Sequence, residues 1–505
     1  MAISYGEYVS RMTLRNPSLA ALSSFLNHQP GTICNSCIRY AEVEKDGQIG
    51  PSIKGTTREF VSRAGSHPAR SILMVVENIH SEDIELLGSS FGIDPFFFAG
   101  HIASSYRGIE NSPPPPLLAL PPSQIASREY LNIHYQKVLD LGSESDLGHV
   151  PYHLTLRANI LRNIRRLPAL SGRSIGLLRG CISVVKQCLP NGLWLCLILV
   201  DPDADIIAHS KRDLYSCHGI SQIPRKIATE SIIDLPNYTK IEDTEKLDPF
   251  PQHLRPCEEI MGFFDVPPPG WKEGIFSILS FAYHPIRIIN QEWILYELLM
   301  SRYIKYYEYT FPSVSSRLEH FEKHDVVDLH RWRRRSQQTV LKLQMTRRFV
   351  EYWHTKDYNS STIIKDPNDP TSKRNCEDKS LWNLLLMDIN HLEDQIGQHA
   401  QSLEALNPIM TSLVQLIDSH KSISQSEDIK RLTYIAIAFI PLSYITGIFS
   451  MSDQYSPGGE SFWVYWVTAL PVAVLIMGFL AVESRIPVLF RFLEQARERW
   501  RSFRT

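Results

Sequence analysis

The chain has 505 residues, of which 43% are hydrophobic, and its 52 basic and 54 acidic residues give a formal net charge of −2 at pH 7. A chain this close to neutral has no basic excess for binding DNA or RNA, so we expect no nucleic-acid partner. The first 30 residues contain no continuous apolar segment, which argues against a secretory signal. A single Cys-x-x-Cys pair, Cys34 and Cys37, is a weak zinc signal, and we expect no resident cofactor.

Residues 1–285 have the pattern of a mixed α/β domain. Residues 71–77 form a short apolar run typical of a strand, and residues 81–88 predict a helix with Ser81 as its N-cap and Gly88 at its end. Residues 175–186 and 193–200 are also strand-like. Because the turn residues Pro190-Asn-Gly192 separate them, they predict a hairpin.

Residues 286–430 have the periodicity of long helices. Apolar side chains from Trp293 to Tyr306 recur on a helical period, and a second helical pattern runs to about Trp353. Residues 356–378 are rich in Asn, Asp, Pro and Ser and predict a loop. Beyond it, apolar residues from Leu385 to Ile417 form one seam of an amphipathic stalk. We expect this stalk and the segment after it to form one nearly continuous helix of about 70 residues.

Residues 431–482 predict a two-helix transmembrane hairpin. Residues 432–452 and 462–482 contain no charged side chain, and each stretch is long enough to cross the roughly 30 Å apolar core of a bilayer. Basic residues flank the hairpin on both sides, most densely in the tail 483–505, whereas the loop between the spans has none. The positive-inside rule therefore predicts a multi-pass protein with both termini in the cytosol and the lipid bilayer as a partner.

A single hairpin cannot enclose an aqueous path, whereas several copies around a common axis can. Ser443, Thr446 and Ser450 fall on one face of the first span, as pore-lining hydroxyls would. Hydroxyls in an apolar helix also bond to the carbonyl four residues earlier or pack against another helix. Both interpretations remain open at this point.

Several phrases in the first span resemble one family. They are Arg431-Leu-Thr, Pro441-Leu442 and Gly447-Ile-Phe449-x-Met451, followed by a short loop, a second span and an Arg-rich end. Together they resemble the CorA family of magnesium and divalent-cation transport proteins, over roughly residues 381–505. A weaker likeness to fungal-type CorA-like proteins lies in residues 86–101. The resemblance implies a homopentameric funnel: a cytosolic α/β domain, long stalk helices and a C-terminal transmembrane hairpin whose first helix lines the pore.

The family signature at the outer mouth is Gly-Met-Asn, and Ser450, Met451 and Ser452 occupy those positions here. A serine hydroxyl reaches less far toward a hydrated Mg²⁺ than an asparagine amide does. Serine in place of glycine also disfavours a positive φ, at about 1 to 2 kcal/mol if the turn needs one.

The resemblance and the residue pattern together select the candidate site residues. Expected at the pore and its selectivity mouth are Ser450, Met451, Ser452, Thr446, Ser443, Ile440 and Leu432. Acidic residues of the outer loop are Asp453 and Glu460, and a positive collar at the inner mouth is formed by Lys430 and Arg431. Regulatory cation ligands are expected among Glu319, His320, His324, Asp388 and Glu393. For these carboxylates and histidines a solvated helix face is the alternative interpretation.

These observations predict a transporter or channel that passes Mg²⁺ or a related divalent cation, with the ion as cargo or regulator. The alternative is a non-conducting membrane-anchored scaffold or cation sensor with a decayed pore motif. No phosphate-binding loop, nucleophile elbow or zinc-protease motif occurs in the sequence, so we do not expect an enzyme.

Overall fold

The structure is a computed structural model. It describes residues 3–27, 35–44, 46–64, 70–103, 122–143, 153–189, 192–204, 206–208, 214–216, 218–219, 255–271, 276–310, 324–362, 371–451, 461–476 and 478.

An eleven-stranded sheet forms the framework of the N-terminal region. Its strands are β1 Cys37–Val43, β2 Ile53–Gly55, β3 Ser71–Glu77, β4 Tyr130–Ser143, β5 His153–Leu156, β6 Asn163–Arg166, β7 Arg173–Cys188, β8 Trp194–Val200, β9 Ile206–Ala208, β10 Leu214–Ser216 and β11 His218–Gly219. The main path runs β10-β9-β5-β6-β7-β8-β3-β1-β2, and β4 pairs with both β7 and β11. Of the pairings described, only β3 with β8 is parallel.

Helices accompany the sheet. They are α1 Tyr5–Thr13, α2 Ala20–Asn27, α3 Thr57–Ala64, α4 Ser81–Phe91, α5 Pro95–Ile102, α6 Pro122–Ala126 and α7 Pro256–Phe263, with a 3₁₀ turn at Pro17–Leu19. Three long helices follow: α8 Ile278–Thr310, α9 His324–Thr362 and α10 Thr371–Phe449. A shorter apolar helix, α11, spans Phe462–Ile476. The predicted class, an α/β domain followed by long helices, is confirmed.

Strands β3 and β8 lie at the centre of the sheet, and every residue of both is buried. Continuous apolar runs suit such a position because both faces of the strand are covered. The predicted strand 71–77 is therefore confirmed. The predicted hairpin is confirmed as well, since β7 pairs antiparallel with β8 from Ile182↔Val200 to Cys188↔Trp194. Gly192, at the end of the turn, has a φ of 73°, which glycine adopts without strain.

The predicted ends of α4 were wrong in detail. The N-cap is His80 and not Ser81: its Nδ1 accepts from the backbone N–H of Glu82 at 3.2 Å, and Asp83 accepts from the backbone N–H of His80 at 3.1 Å. The helix also continues past Gly88 and ends before Gly92, which has a φ of 63°. Within the helix, position 88 has room only for glycine, because Tyr5 packs where a Cβ would stand, with a ring atom 2.5 Å from that position.

The loop predicted at residues 356–378 is largely helical where it is described. Helix α9 extends to Thr362, and α10 begins at Thr371. The low helix propensity of Asn, Asp and Ser is a weak preference, and the two helices continue through several of these residues. The predicted continuity of the stalk is confirmed, because α10 is 79 residues long and includes both Pro408 and Pro441.

The seam predicted along α10 is buried. Its buried members are Leu385, Ile389, Leu392, Ile396, Leu403, Leu406 and Met410. The side chains of Leu413 and Ile417 lie outside the description. The chain divides into two compact units: residues 1–317 with 321–405, and residues 318–320 with 406–505.

Candidate functional site

Among the described residues, helix α10 contains a stretch that is long and apolar enough to cross a membrane. Its stretch Ser380–Phe449 contains an 18-residue apolar window, and none of that window is buried within the chain. Eighteen helical residues span about 27 Å, close to the apolar thickness of a bilayer. Helix α11 is apolar but shorter over its described length, Phe462–Ile476, and the rest of the predicted second span is not described.

Helices α10 and α11 contact each other through polar and aromatic side chains. The hydroxyls of Thr446 and Tyr465 are 3.3 Å apart. The ring of Tyr465 also meets Phe449 edge to face, with ring centroids 5.8 Å apart. An open groove between the two helices is lined by Phe439, Leu442, Ser443, Thr446, Tyr465, Trp466, Ala469, Leu470 and Ala473. Two of the three predicted pore hydroxyls, Ser443 and Thr446, therefore lie beside α11 within one chain.

The hydroxyl of Thr446 donates to the carbonyl of Leu442 at 2.8 Å, four residues earlier. Through this hydrogen bond the hydroxyl is paired within its own helix, so it needs no water partner in an apolar surrounding. For Thr446 this contact matches the helix-packing interpretation. Tyr465 was not selected from the sequence; the signal that could have found it is a phenol within the aromatic run 462–466 of an apolar helix.

Large apolar side chains elsewhere on this part of α10 are uncovered. Leu432 is 71% exposed and Ile440 is 68% exposed, and both are predicted pore constrictions. Others on the same segment are Ile435, Ile437, Phe439, Tyr444 and Ile448. An exposed apolar surface of this extent marks contact with lipid or with other copies of a chain.

Helix α10 ends immediately before the altered signature. Ser450 and Met451 form a turn in which the N–H of Ser450 donates to the carbonyl of Thr446 at 2.9 Å. Ser450 does not need a positive φ there, because the described non-glycine residues with positive φ are Asn78 and Ser171. Replacing glycine at this position therefore imposes no backbone strain in this turn. Ser452, Asp453 and Glu460 lie outside the described residues.

The predicted inner collar is exposed. A nitrogen of Arg431 is 3.7 Å from a carboxylate oxygen of Asp428, and the two side chains are 77% and 71% exposed. Lys430 lies over the ring of Tyr434, with its nitrogen 5.6 Å from the ring centroid. Such exposed pairs add little stability, so both cations remain available to a headgroup or an ion.

Of the predicted regulatory residues, the structure describes the surroundings of Asp388 and Glu393, so a shared cation site stays a prediction. Both carboxylate oxygens of Glu393 are already engaged: Arg347 Nε lies 3.2 Å from Oε2, and the amide of Gln344 donates to Oε1 at 2.9 Å. Asp388 is exposed on α10. Glu319 and His320 lie outside the description, as does the side chain of His324.

Comparisons with known proteins found a family model, a relative and solved structures that are similar to parts or most of this chain. The family model described as "CorA-like Mg2+ transporter protein" matches residues 290–482. A segment of 89 residues is 35% identical to the cobalt/magnesium transport protein CorA of Thermotoga maritima, covering 18% of this chain and 24% of that protein. The chain thus matches about a quarter of that relative's length.

Two solved structures are also similar to this chain. One is the complete CorA magnesium transporter from Methanocaldococcus jannaschii, at 13% identity and a TM-score of 0.33, covering 89% of this chain and 98% of that one. The other is the full-length CmaX protein, at 11% identity and a TM-score of 0.28, covering 90% and 99% of the two chains.

Proposed function

We propose that this chain, whose residues 290–482 match the CorA-like family model, is a membrane transporter or channel that passes Mg²⁺ or a related divalent cation. The pore is formed by several copies, five by resemblance to the family, and is lined by the end of α10. The relative from Thermotoga maritima, described as a cobalt/magnesium transport protein, supports a divalent cation as cargo.

The observation that carries this proposal is the continuity of α10. One helix runs from Thr371 to Phe449 without interruption and ends in a segment whose large apolar side chains are exposed. A single hairpin leaves those side chains in contact with water, whereas a ring of copies in a bilayer covers them with lipid and with one another. Such a ring also places one helix from each copy around a common axis.

The part of α10 that α11 leaves uncovered is the surface we assign to the pore. Ile440 lies about 60° around the helix from Ser443, on the side where Gly447 also falls, whereas Leu432 lies about 20° from Ser443 in the other direction. Ser443 stands at the border between this surface and the groove facing α11. Leu432 and Ile440 then act as apolar constrictions, and Ser443 supplies a hydroxyl to the water around the ion.

At the outer mouth, Ser450, Met451 and Ser452 hold the ion with its hydration shell. Mg²⁺ gives up water reluctantly, so a mouth with hydroxyl acceptors acts on its bound waters. Serine offers shorter reach than asparagine, and we expect weaker discrimination among hydrated divalent cations than a Gly-Met-Asn mouth gives. The acidic loop residues Asp453 and Glu460 would raise the local cation concentration.

The driving force needs no enzymatic step. A divalent cation moving toward a negative interior gains about 4 to 5 kcal/mol per 100 mV. With both termini in the cytosol, Lys430 and Arg431 stand at the inner headgroup level. Among the proposed regulatory ligands, Asp388 remains open to a cation, whereas Glu393 is engaged by Arg347 and Gln344.

The decisive experiment is flux of Mg²⁺ and Co²⁺ into liposomes that contain the purified protein. The native chain is compared with Ser450→Gly/Ser452→Asn, which restores the family signature, and with empty liposomes as the control. We expect the native chain to conduct both ions and the restored variant to favour Mg²⁺. Conduction by neither protein refutes the pore, and conduction by the restored variant alone supports a non-conducting scaffold. A monomer in detergent would also contradict the proposal.

A further inference from the structure

Three metal-ligating side chains meet in the first unit: Cys37, Glu77 and Cys257. We propose that they bind a thiophilic divalent transition-metal ion of the Zn²⁺ type. The site is independent of the proposed transport function, because Mg²⁺ prefers oxygen ligands and two thiolates select a softer ion.

The sheet and helix α7 bring the three residues together. Cys37 begins β1 and Glu77 ends β3, and the two are direct partners in the antiparallel register. Their side chains therefore leave the sheet next to each other and on the same face. Cys257 is the second residue of α7, which places its thiol at the first turn of that helix. The thiols of Cys37 and Cys257 come from positions 220 residues apart in the chain.

The ligand atoms are close enough to share one ion. One ligand atom from each of the three residues lies within 4.8 Å of the other two. The two sulfur atoms are 3.1 Å apart, and the backbone N–H of Cys257 donates to the Glu77 carboxylate at 3.3 Å. In a tetrahedral zinc site with Zn–S of about 2.3 Å, two sulfurs stand about 3.8 Å apart. Moving each sulfur atom by a few tenths of an ångström, through rotation about its Cα–Cβ bond, gives the separation that a bound ion needs.

All three residues are buried: Cys37 is 5% exposed, Glu77 7% and Cys257 0%. Burial raises the pKa of the Glu77 carboxyl and of the Cys257 thiol. Glu77 forms no ion pair with any lysine or arginine in the described part of the chain. The Arg255 guanidinium attracts this carboxylate without forming an ion pair with it in the described part of the chain, and a bound divalent cation supplies a direct counter-charge.

The charges around the site fit a divalent ion. The Arg255 side chain lies against Cys37, and this contact raises the pKa of Arg255. Two thiolates and one carboxylate carry three negative charges, which a divalent ion and the Arg255 guanidinium balance. On binding, the ion replaces the thiol protons, which leave to water, so affinity falls as the pH is lowered. Three protein ligands leave a fourth position for a water molecule.

The competing occupant of this space is a disulfide between Cys37 and Cys257. Both cysteines are free in the structure. A neutral disulfide gives the buried carboxylate of Glu77 no direct partner beyond the attraction of Arg255, whereas a metal ion uses it as a ligand. We therefore assign the cluster to a metal and treat the disulfide as an outcome of the test.

The test uses the full-length protein in detergent with a non-thiol reductant. The protein is incubated with Zn²⁺ or Co²⁺ and desalted, and its metal content is measured by mass spectrometry. The variants are Cys257→Ser and Glu77→Gln. The matched control is Cys196→Ser, which removes a fully buried thiol from β8.

We expect the wild type and Cys196→Ser to hold about one equivalent more metal than Cys257→Ser. Cobalt should give thiolate-to-metal charge-transfer absorption in the first two proteins and less in the third. Zn²⁺ should raise the unfolding temperature of the wild type, and a chelator should reverse this, a readout that needs no variant to fold. Equal metal content in all variants with no thermal shift overturns the proposal. A Cys37–Cys257 disulfide in protein isolated without reductant overturns it too.

Discussion

The buried ion pair of Arg162 and Asp201 provides the sharpest test of the α/β domain. Arg162 is completely buried, and Asp201 is 6% exposed at its side chain. One carboxylate oxygen of Asp201 accepts from Nε and Nη2 of Arg162 at 2.9 and 2.7 Å. The other oxygen accepts from the backbone N–H of Cys181 at 2.7 Å. Asp201 thus joins the loop after β8 to strand β7.

We expect Asp201→Asn to destabilise the domain by about 3 to 5 kcal/mol, because it leaves a buried guanidinium without its counter-charge. An asparagine has one acceptor oxygen. If that oxygen faces Arg162, the amide nitrogen faces the N–H of Cys181, and two donors meet. For a domain of 150–250 residues, 1 kcal/mol shifts the unfolding temperature by roughly 2 to 4 °C, so a loss of roughly 6 to 20 °C is expected.

The measurement is thermal unfolding of the full-length chain in detergent, and the matched control is Asp203→Asn. Asp203 lies two positions further on and pairs with Lys137 at 3.2 Å, but its side chain is 30% exposed. Partly exposed pairs contribute about 0 to 1 kcal/mol, so this variant should unfold within a few degrees of the wild type. A shift for Asp201→Asn no larger than that of Asp203→Asn would refute the reasoning.

Three further predictions concern the pore, the pH response and the regulatory set. Ile440→Asn should increase cation flux in liposomes several-fold by wetting a constriction, whereas Ile435→Asn, about 140° around the helix from Ile440, should leave it near the native rate. Burial lowers the pKa of His284 from 6.5 to about 4. Above pH 6.5 this residue does not reduce the free energy of unfolding, but between pH 6.5 and pH 4 the unfolded chain takes up a proton that the folded chain does not, so stability falls. His284→Gln should flatten that decline in thermal melts recorded as a function of pH. Glu393→Gln, which removes the nearer of the two carboxylates paired with Arg347, should lower the unfolding temperature but leave the shift produced by Mg²⁺ unchanged.

The sequence predicted the secondary structure of segments whose conformation depends on nearby residues in the chain. Strands β3 and β8 follow from apolar runs, and the hairpin of β7 with β8 follows from the turn at Gly192. The seam of α10 follows from its spacing. The N-cap of α4 was not predictable by the usual preference, because an imidazole rarely takes that position.

Contacts across long separations were outside the reach of sequence patterns. The Cys-x-x-Cys spacing directed attention to Cys34, but Cys37 meets Cys257, and only the sheet register and helix α7 bring those thiols together. Likewise, the helical period places Ser443 and Thr446 on one face of α10 without saying that α11 lies beside that face. Which face meets the second helix depends on packing between helices, and a single helical period contains no information about it.

The change in burial along α10 connects the fold with the proposed function. From Trp382 to Leu403, one seam is buried and the remaining surface is largely polar, with Leu384 and Met387 exposed among the polar residues. From Leu432 onward, large apolar side chains are exposed in several directions, and α11 covers only the groove at Ser443 and Thr446. A helix that is apolar all round is stable when its solvent is lipid or other helices.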